Sequence, residues 1–297
     1  MKKTKVSLKA YGKINIGLDV TGRRPDGYHL VRMIMQTVDV CDVVTVENAG
    51  TRPENTGKGK PGHISISCSK ENVPSGEGNI AYRAAEKVMK LCNIGSDVKI
   101  DIEKNIPMAA GMAGGSTDAA AVIKGLNELF SLNLSAEKMD EIALSLGADV
   151  PFTLRHGTFL SEGIGEVLTE LPGVPECSLL VVNPGFEVST KEIYSALDRE
   201  ESLSHPDIDA LISRIEAADL TGMAKAMGNI LADVCEKMHP EITALREKMV
   251  QMGALGSMMT GSGPTVFGIF ADAAEAEKAG AYFTENTNFT VILSKIA

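Results

Sequence analysis

KNIPMAAGMAGGSTDAAAVIKGLNELFS, residues 104 to 131, is a run of very small side chains that feeds directly into a helical pattern. From Ala109 to Gly115 nothing is larger than Met112, and Gly111, Gly114 and Gly115 free the backbone for positive φ and for close approach to a ligand. Ser116, Thr117 and Asp118 set oxygens where a helix N-terminus takes them, and Val122, Leu126, Leu129 and Phe130 keep helical apolar spacing. A helix beginning near Ser116 is therefore expected. Its unpaired N–H groups and the positive end of its dipole make such a start an anion site. Neither common phosphate motif fits. No Lys follows the glycines until Lys124, and the intervals between Gly111, Gly114 and Gly115 are not those of G-x-G-x-x-G. A small-residue loop packed tightly on a neighbouring helix is the competing reading.

Outward from this stretch the chain alternates strands and helices. Val6 to Ala10 reads as a strand, Tyr11-Gly12 as a break, and Lys13 to Gly22 as a second strand. Pro25-Asp26-Gly27 is a turn signature. Two further strands follow, MIMQTVDV (33–40) and DVVTVENA (42–49). The polar segment 51–63 is expected to be the long loop of a hairpin completed by HISISCS (63–69). Asn79 caps a helix with the face Ile80, Ala84, Val88 and Leu91, and Val98 to Ile102 is the strand that enters the glycine loop. Ser135 caps a helix that stops at Gly147, and strand-like pieces flank Gly163 and Gly165. Residues 178–185 form a buried-looking strand, and charged helices run to about Met252. A second Gly-rich turn, 253–270, then leads into an apolar strand, followed by a helix and a closing strand at 290–296. The class is α+β with two lobes, 1–170 and 171–297.

At 297 residues, with 44% hydrophobic and 23% charged, the chain can bury an ordinary core. A net charge of −10 argues against nucleic acid or an anionic membrane as partner, so an anionic substrate has to be held by local donors. The five cysteines are scattered, without a C-x-x-C pair, which suits reduced thiols in a cytoplasm better than disulfides or zinc. The basic N-terminus lacks the apolar run of a signal peptide, and no stretch nears the ~18 apolar residues of a membrane span.

Three more features carry chemistry. On KINIGL, strand alternation puts Lys13, Asn15 and Gly17 on one face. Asp149, in GADVP, stands between a helix stop and a proline. Thr260 to Thr265, TGSGPT, is a turn crowded with N–H and hydroxyl donors. Singly these read as a solvated lysine, a capping carboxylate and a strand-entry turn.

Together they resemble the GHMP kinases, a family of small-molecule kinases with an N-terminal strand segment, a phosphate loop and a T-G-x-G turn in that order. AYGKINIGLDVTGRRPDGYH (10–29), KNIPMAAGMAGGSTDAAA (104–121), LGADVPF (146–152) and MTGSGPTVF (259–267) carry the resemblance over nearly the whole chain. Tyr11-Gly12 stands where Pro-Ala is usual, Met112 where Leu is, and Ala109 and Ala110 where Gly can occur. Both alanines are therefore expected at negative φ.

The resemblance implies a two-lobed fold: an N-terminal lobe like ribosomal protein S5 domain 2, a ferredoxin-like C-terminal lobe, and the substrate site in the cleft between them. It implies ATP and Mg2+ as cofactors, the sequence naming no metal ligands. ATP would be bound by Pro107, Met108, Ala109, Ala110, Gly111, Met112, Ala113, Gly114, Gly115, Ser116, Thr117 and Lys104; the adenine contacts stay open, with Asn79 and Lys104 as candidates. It assigns catalysis to Lys13 and Asp149. The R-x-D-G-Y-H turn and the G-A-D-V-P segment further imply cytidine diphosphate methylerythritol as substrate. Its 2-hydroxyl would be phosphorylated in non-mevalonate isoprenoid synthesis, with Asn15, Tyr28, His29, Tyr194, Gly261, Ser262 and Gly263 as substrate contacts. The protein would be a cytoplasmic monomer or homodimer. A sister kinase acting on homoserine or a mevalonate derivative, and a binding protein that has lost catalysis, remain as alternatives.

Overall fold

The computed structural model describes residues 3–50 and 61–297, so most of the expected 51–63 loop lies outside the described residues. The chain forms two compact units that interleave in sequence. Unit 1 holds 1–12, 41–106 and 113–155, and unit 2 holds 13–40, 107–112 and 156–297.

Strands β1 (Lys5–Arg23) and β2 (His29–Gly50) run through both units. Each is one strand where two were expected. The backbone stays extended through Tyr11-Gly12 and through Cys41, because hydrogen-bonded neighbours override a local glycine. Unit 1 adds β3 (Ile64–Cys68), α1 (Ile80–Leu91), β4 (Asp97–Glu103), α2 (Gly114–Leu129), α3 (Ala136–Leu144) and the short α4 (Val150–Thr153). The expected hairpin does not form. β3 pairs in parallel with β4, and β4 lies between β3 and β2, so the order is β3-β4-β2-β1.

Helices α1 and α2 pack together on this sheet. Ala81, Ala84, Ala85, Val88 and Met89 of α1 are buried, while Leu91, expected on that face, is 44% exposed. Full burial of Val88 and Met89 contributes roughly 1.5–3 kcal/mol each. In α2, Gly125 sits so close to β2 that a Cβ there would lie 2.9 Å from Val46 Cγ2. Asn79 caps α1 by accepting from Ala81 N–H, and Ser135 caps α3 by accepting from Lys138 N–H, as the side-chain chemistry requires.

In unit 2, Lys13–Arg23 and His29–Val40 are joined by the expected turn. Gly27 has φ +92, and Arg24 N–H donates to Tyr28 O at 2.7 Å. β5 (Thr158–Glu162) pairs with β2 and with β6 (Val167–Glu170), through a turn with positive φ at Gly163 and Gly165. The remaining elements are β7 (Ser178–Asn183), α5 (Thr190–Leu197), α6 (Ile208–Glu216), α7 (Leu220–Ala226), β8 (Gly228–Asn229), α8 (Ala232–Met238), α9 (Pro240–Gln251), β9 (Gly256–Met259), β10 (Val266–Phe270), α10 (Ala273–Asn286) and β11 (Thr290–Lys295). Neither β8 nor β9 was legible as a strand, being two and four residues long inside glycine-containing segments. β11-β7-β10-β9 is an antiparallel sheet whose first, second, third and fourth strands in sequence stand in the order 4-1-3-2. That is the ferredoxin-like arrangement.

Candidate active site

The two glycine-bearing turns meet inside unit 2, backbone on backbone. Gly111 has φ +69, and a Cβ on it would lie 2.2 Å from Thr260 O; Gly261 has φ +59, and its Cβ would lie 3.0 Å from Gly111 Cα. Thr260 Oγ1 accepts from Asn15 N–H at 3.0 Å and lies 3.3 Å from Gly111 O as a donor. Asn229 Nδ2 donates to Met259 O at 2.8 Å and to Gly261 O at 2.9 Å, locking the second turn. Lys13 N–H donates to Met112 O at 3.1 Å, so β1 holds the end of the loop.

Lys13 and Asn15 share a face as expected. Lys13 is only 4% exposed, and its Nζ donates to Asn15 Oδ1 at 2.6 Å. Asn15, Gly261, Ser262 and Gly263 are all buried, and the Ser262 and Thr190 hydroxyls hydrogen-bond at 2.8 Å. Met108 and Ala109 are exposed, whereas Ala110 and Met112 point into the core. Ala109 has φ +49, against the expectation of negative φ, and so accepts the strain that a β-carbon meets in the left-handed region. Ala110 has no positive φ.

In unit 1, α2 starts at Gly114, two residues before the expected position. Gly114 and Gly115 therefore lie in the first turn without positive φ, and it is Ala113, the N-cap, that is left-handed (φ +59). Ala113 provides no side-chain cap. The first intrahelical bond runs from Thr117 N–H to Ala113 O, so the amides of Gly114, Gly115 and Ser116 precede it. Thr117 is buried and its Oγ1 donates to Tyr11 O at 2.7 Å.

Asp149 stands at the N-cap of α4 in helical backbone, and its side chain makes no capping bond. It is half-buried, and among the described residues its carboxylate accepts no hydrogen bond. Asn79, by contrast, is committed to its cap and to Pro74 O.

Beneath the α2 start lies a buried trio that the sequence did not reveal. Lys104 Nζ donates to Asp42 and, at 2.9 Å, to Asp118 Oδ2. Asp42 Oδ1 also accepts from Asn105 N–H (2.6 Å) and Ile106 N–H (2.8 Å), which pins the entry to the loop. Asp118 Oδ1 is buried without a partner. Burial pushes the Asp118 carboxyl up to about 7; the Lys104 ammonium opposes this and the nearby Asp42 charge reinforces it. Burial lowers the Lys104 ammonium, but the two carboxylates outweigh it and hold it above its ordinary value. The Lys104 side chain, expected at the nucleotide, is thus occupied within unit 1. Its Nζ is 3.1 Å from where a Gly114 Cβ would stand.

In unit 2 the DGYH turn leans on α5. The His29 and Tyr194 rings have centroids 4.7 Å apart at 33°. His29 Nε2 is 2.7 Å from Asp198 Oδ1, Arg23 donates to Asp198 Oδ2 at 3.1 Å, and Arg23 Nε donates to Gly27 O at 3.1 Å. Tyr28 is 61% exposed. Asp198 was not singled out in the sequence, where a carboxylate at a helix end is unremarked.

Residues 79–157 match the GHMP kinases N terminal domain, and 203–288 match the GHMP kinases C terminal domain. The chain belongs to the GHMP kinases, and such a kinase takes its phosphoryl group from ATP. It is 48% identical over 274 residues to the 4-diphosphocytidyl-2-C-methyl-D-erythritol kinase of Clostridium perfringens, covering 92% of each chain. A crystal structure of 4-(cytidine 5'-diphospho)-2C-methyl-D-erythritol kinase superposes with TM-score 0.81 at 28% identity, over 98% of this chain and 100% of the other. Homoserine kinase from Cytophaga hutchinsonii, at 18% identity and TM-score 0.79 over 100% and 96% of the two chains, shares the fold. Among the described residues, no helix is long and apolar enough to cross a membrane.

Proposed function

We propose that this chain phosphorylates 4-diphosphocytidyl-2-C-methyl-D-erythritol, moving the ATP γ-phosphoryl group to the 2-hydroxyl of the methylerythritol unit on the non-mevalonate route to isoprenoid precursors. One observation carries the reading. An uncapped helix start, preceded by a loop of small residues, occurs in a chain 48% identical across 92% of its length to a protein of that name. The amides of Gly114, Gly115 and Ser116 and the α2 dipole would supply the positive potential that a chain of net charge −10 lacks overall. Mg2+ would be bound together with the nucleotide. Among the described residues no three His, Cys, Asp or Glu group as a metal site. When bound, the ion draws charge from the phosphates.

Lys13 and Asp149 take the chemical roles. Phosphoryl transfer passes through a loose transition state, in which the attacking oxygen needs orientation more than early deprotonation. A carboxylate is a weak base toward an alcohol. It can still take the proton late, when the oxygen has become acidic, and the Lys13 ammonium stabilises the charge that develops. Tyr28, His29 and Tyr194 hold the cytosine, and Asn15 with Gly261, Ser262 and Gly263 frames the rest of the substrate. The division into lobes at 170 and 171 belongs to the same proposal.

The test is ADP release with ATP and the cytidyl substrate, against ATP alone and ATP with homoserine or mevalonate. Release that depends on the cytidyl compound supports the reading. Faster release with homoserine or mevalonate, or none with any acceptor, overturns it.

A further inference from the structure

Asp198 sits where local electrostatics disfavours it. It is the C-cap of α5, at the negative end of the helix dipole, a place suited to a cation. What holds the carboxylate there comes from the opposite strand pair: Arg23 on one oxygen, His29 on the other. The hydrogen bond from His29 keeps the Asp198 carboxyl below the usual carboxylate range, so it is ionised and can only accept. His29 Nε2 must then carry the hydrogen. In the neutral imidazole this leaves Nδ1 with a lone pair and no hydrogen, an acceptor only. Among the described residues nothing hydrogen-bonds Nδ1, and the Tyr194 ring against the imidazole restrains it from turning over.

Cytosine and uracil differ at the edge such an acceptor would read. Cytosine presents an exocyclic amino donor at C4, and uracil a carbonyl acceptor. We propose that Asp198 is a specificity-determining, positioning residue: by fixing the Nε2–H tautomer of His29, it makes the site prefer the amino edge of cytosine over the oxo edge of uracil. The inference rests on the reading that Tyr28, His29 and Tyr194 hold the substrate's base. Arg23 is part of the device, since it anchors the second oxygen of Asp198 and, through Gly27 O, the turn that carries His29.

The experiment compares wild type, Asp198→Asn, Asp198→Ala and His29→Ala as full-length proteins at pH 8. Binding of cytidine 5'-diphosphate and uridine 5'-diphosphate is measured by calorimetry, KM and kcat with the cytidyl substrate by ADP release, and the His29 tautomer by 15N NMR. The amide of Asp198→Asn can donate to Nε2 and so move the hydrogen to Nδ1. That variant is expected to lose roughly tenfold or more of the cytidine-over-uridine preference, or to invert it, with KM for ATP unchanged. Asp198→Ala should lose the preference without inverting it. If His29→Ala raises KM for the cytidyl substrate while both Asp198 variants keep the wild-type preference and tautomer, the role of Asp198 is refuted and the base site stands. If His29→Ala also leaves KM and both affinities unchanged, the base-site reading itself fails.

Discussion

Replacing Asp118 by Asn should change how stability depends on pH, in a direction set by the buried trio. Two carboxylates share one ammonium in a site where Asp118 is 4% exposed and Asp42 and Lys104 are 0% and 8%. Asp42 has three donors, while Asp118 has one and an orphaned oxygen, so a proton held by the trio belongs on Asp118. Its folded value of about 7 lies above the ordinary 3.8, so between these two the folded state binds more protons than the unfolded one. Stability from this group is therefore fully present below the ordinary value and falls as pH rises toward about 7. At ~1.4 kcal/mol per unit, levelling near the folded value, the loss between pH 5.5 and 8 comes to about 2 kcal/mol, or about 3 °C in melting temperature for a chain of this length. Lys104, raised above its ordinary 10.5, acts only at higher pH. Asn mimics the protonated acid and has no charge to bury. Calorimetric melting of wild type and Asp118→Asn across pH 5.5–8 should show the variant's profile flatter by that amount, with the two close together at the acid end. Parallel profiles would sink the assignment. So would a variant weaker by about 3 kcal/mol or more at pH 8, since that is what breaking a fully ionised buried pair does.

The other expectations are more local. Gly111→Ala drives a Cβ to 2.2 Å from the Thr260 carbonyl oxygen at φ +69, and should destabilise by roughly 2–4 kcal/mol. Gly115→Ala meets only Ile80 Cγ2 at 3.2 Å, so denaturant midpoints of the two variants should differ clearly; equal midpoints count against the backbone contact. Asp149→Asn should lower kcat by ~10²–10⁴-fold with little change in KM for ATP. Retention of more than about a tenth of kcat takes Asp149 out of the mechanism. Tyr28→Ala removes a ring that is 61% exposed, so melting should hold while KM for the cytidyl substrate rises roughly tenfold. An equal rise in KM for ATP would point to a folding defect.

What the sequence disclosed, and what it hid, follows from the range over which each feature is determined. Asn79 and Ser135 were readable as caps because a side chain bonding two or three residues ahead needs nothing from the rest of the chain. The pairing of β3 was not readable. Its partner, β4, arrives about thirty residues later and inserts beside β2, and a strand's own alternation does not say which edge it joins. Asp42 and Asp198 were passed over, and Asp118 was read only as a helix-start oxygen, for a related reason. A carboxylate on a strand, in a first helical turn or at a helix end ordinarily faces water, and only the fold brings Lys104, or Arg23 and His29, against it.

Gly111 shows the deeper ambiguity. Small residues were read as room for a phosphate, with tight packing as the rival, and both readings demand a backbone that no side chain screens. In the folded chain, Thr260 and Gly261 occupy the position a Gly111 side chain would need. The glycine is therefore required by contact between two turns of the same protein, and the case for an anion site shifts to the next residues, where Ala113 leaves the first turn of α2 uncapped.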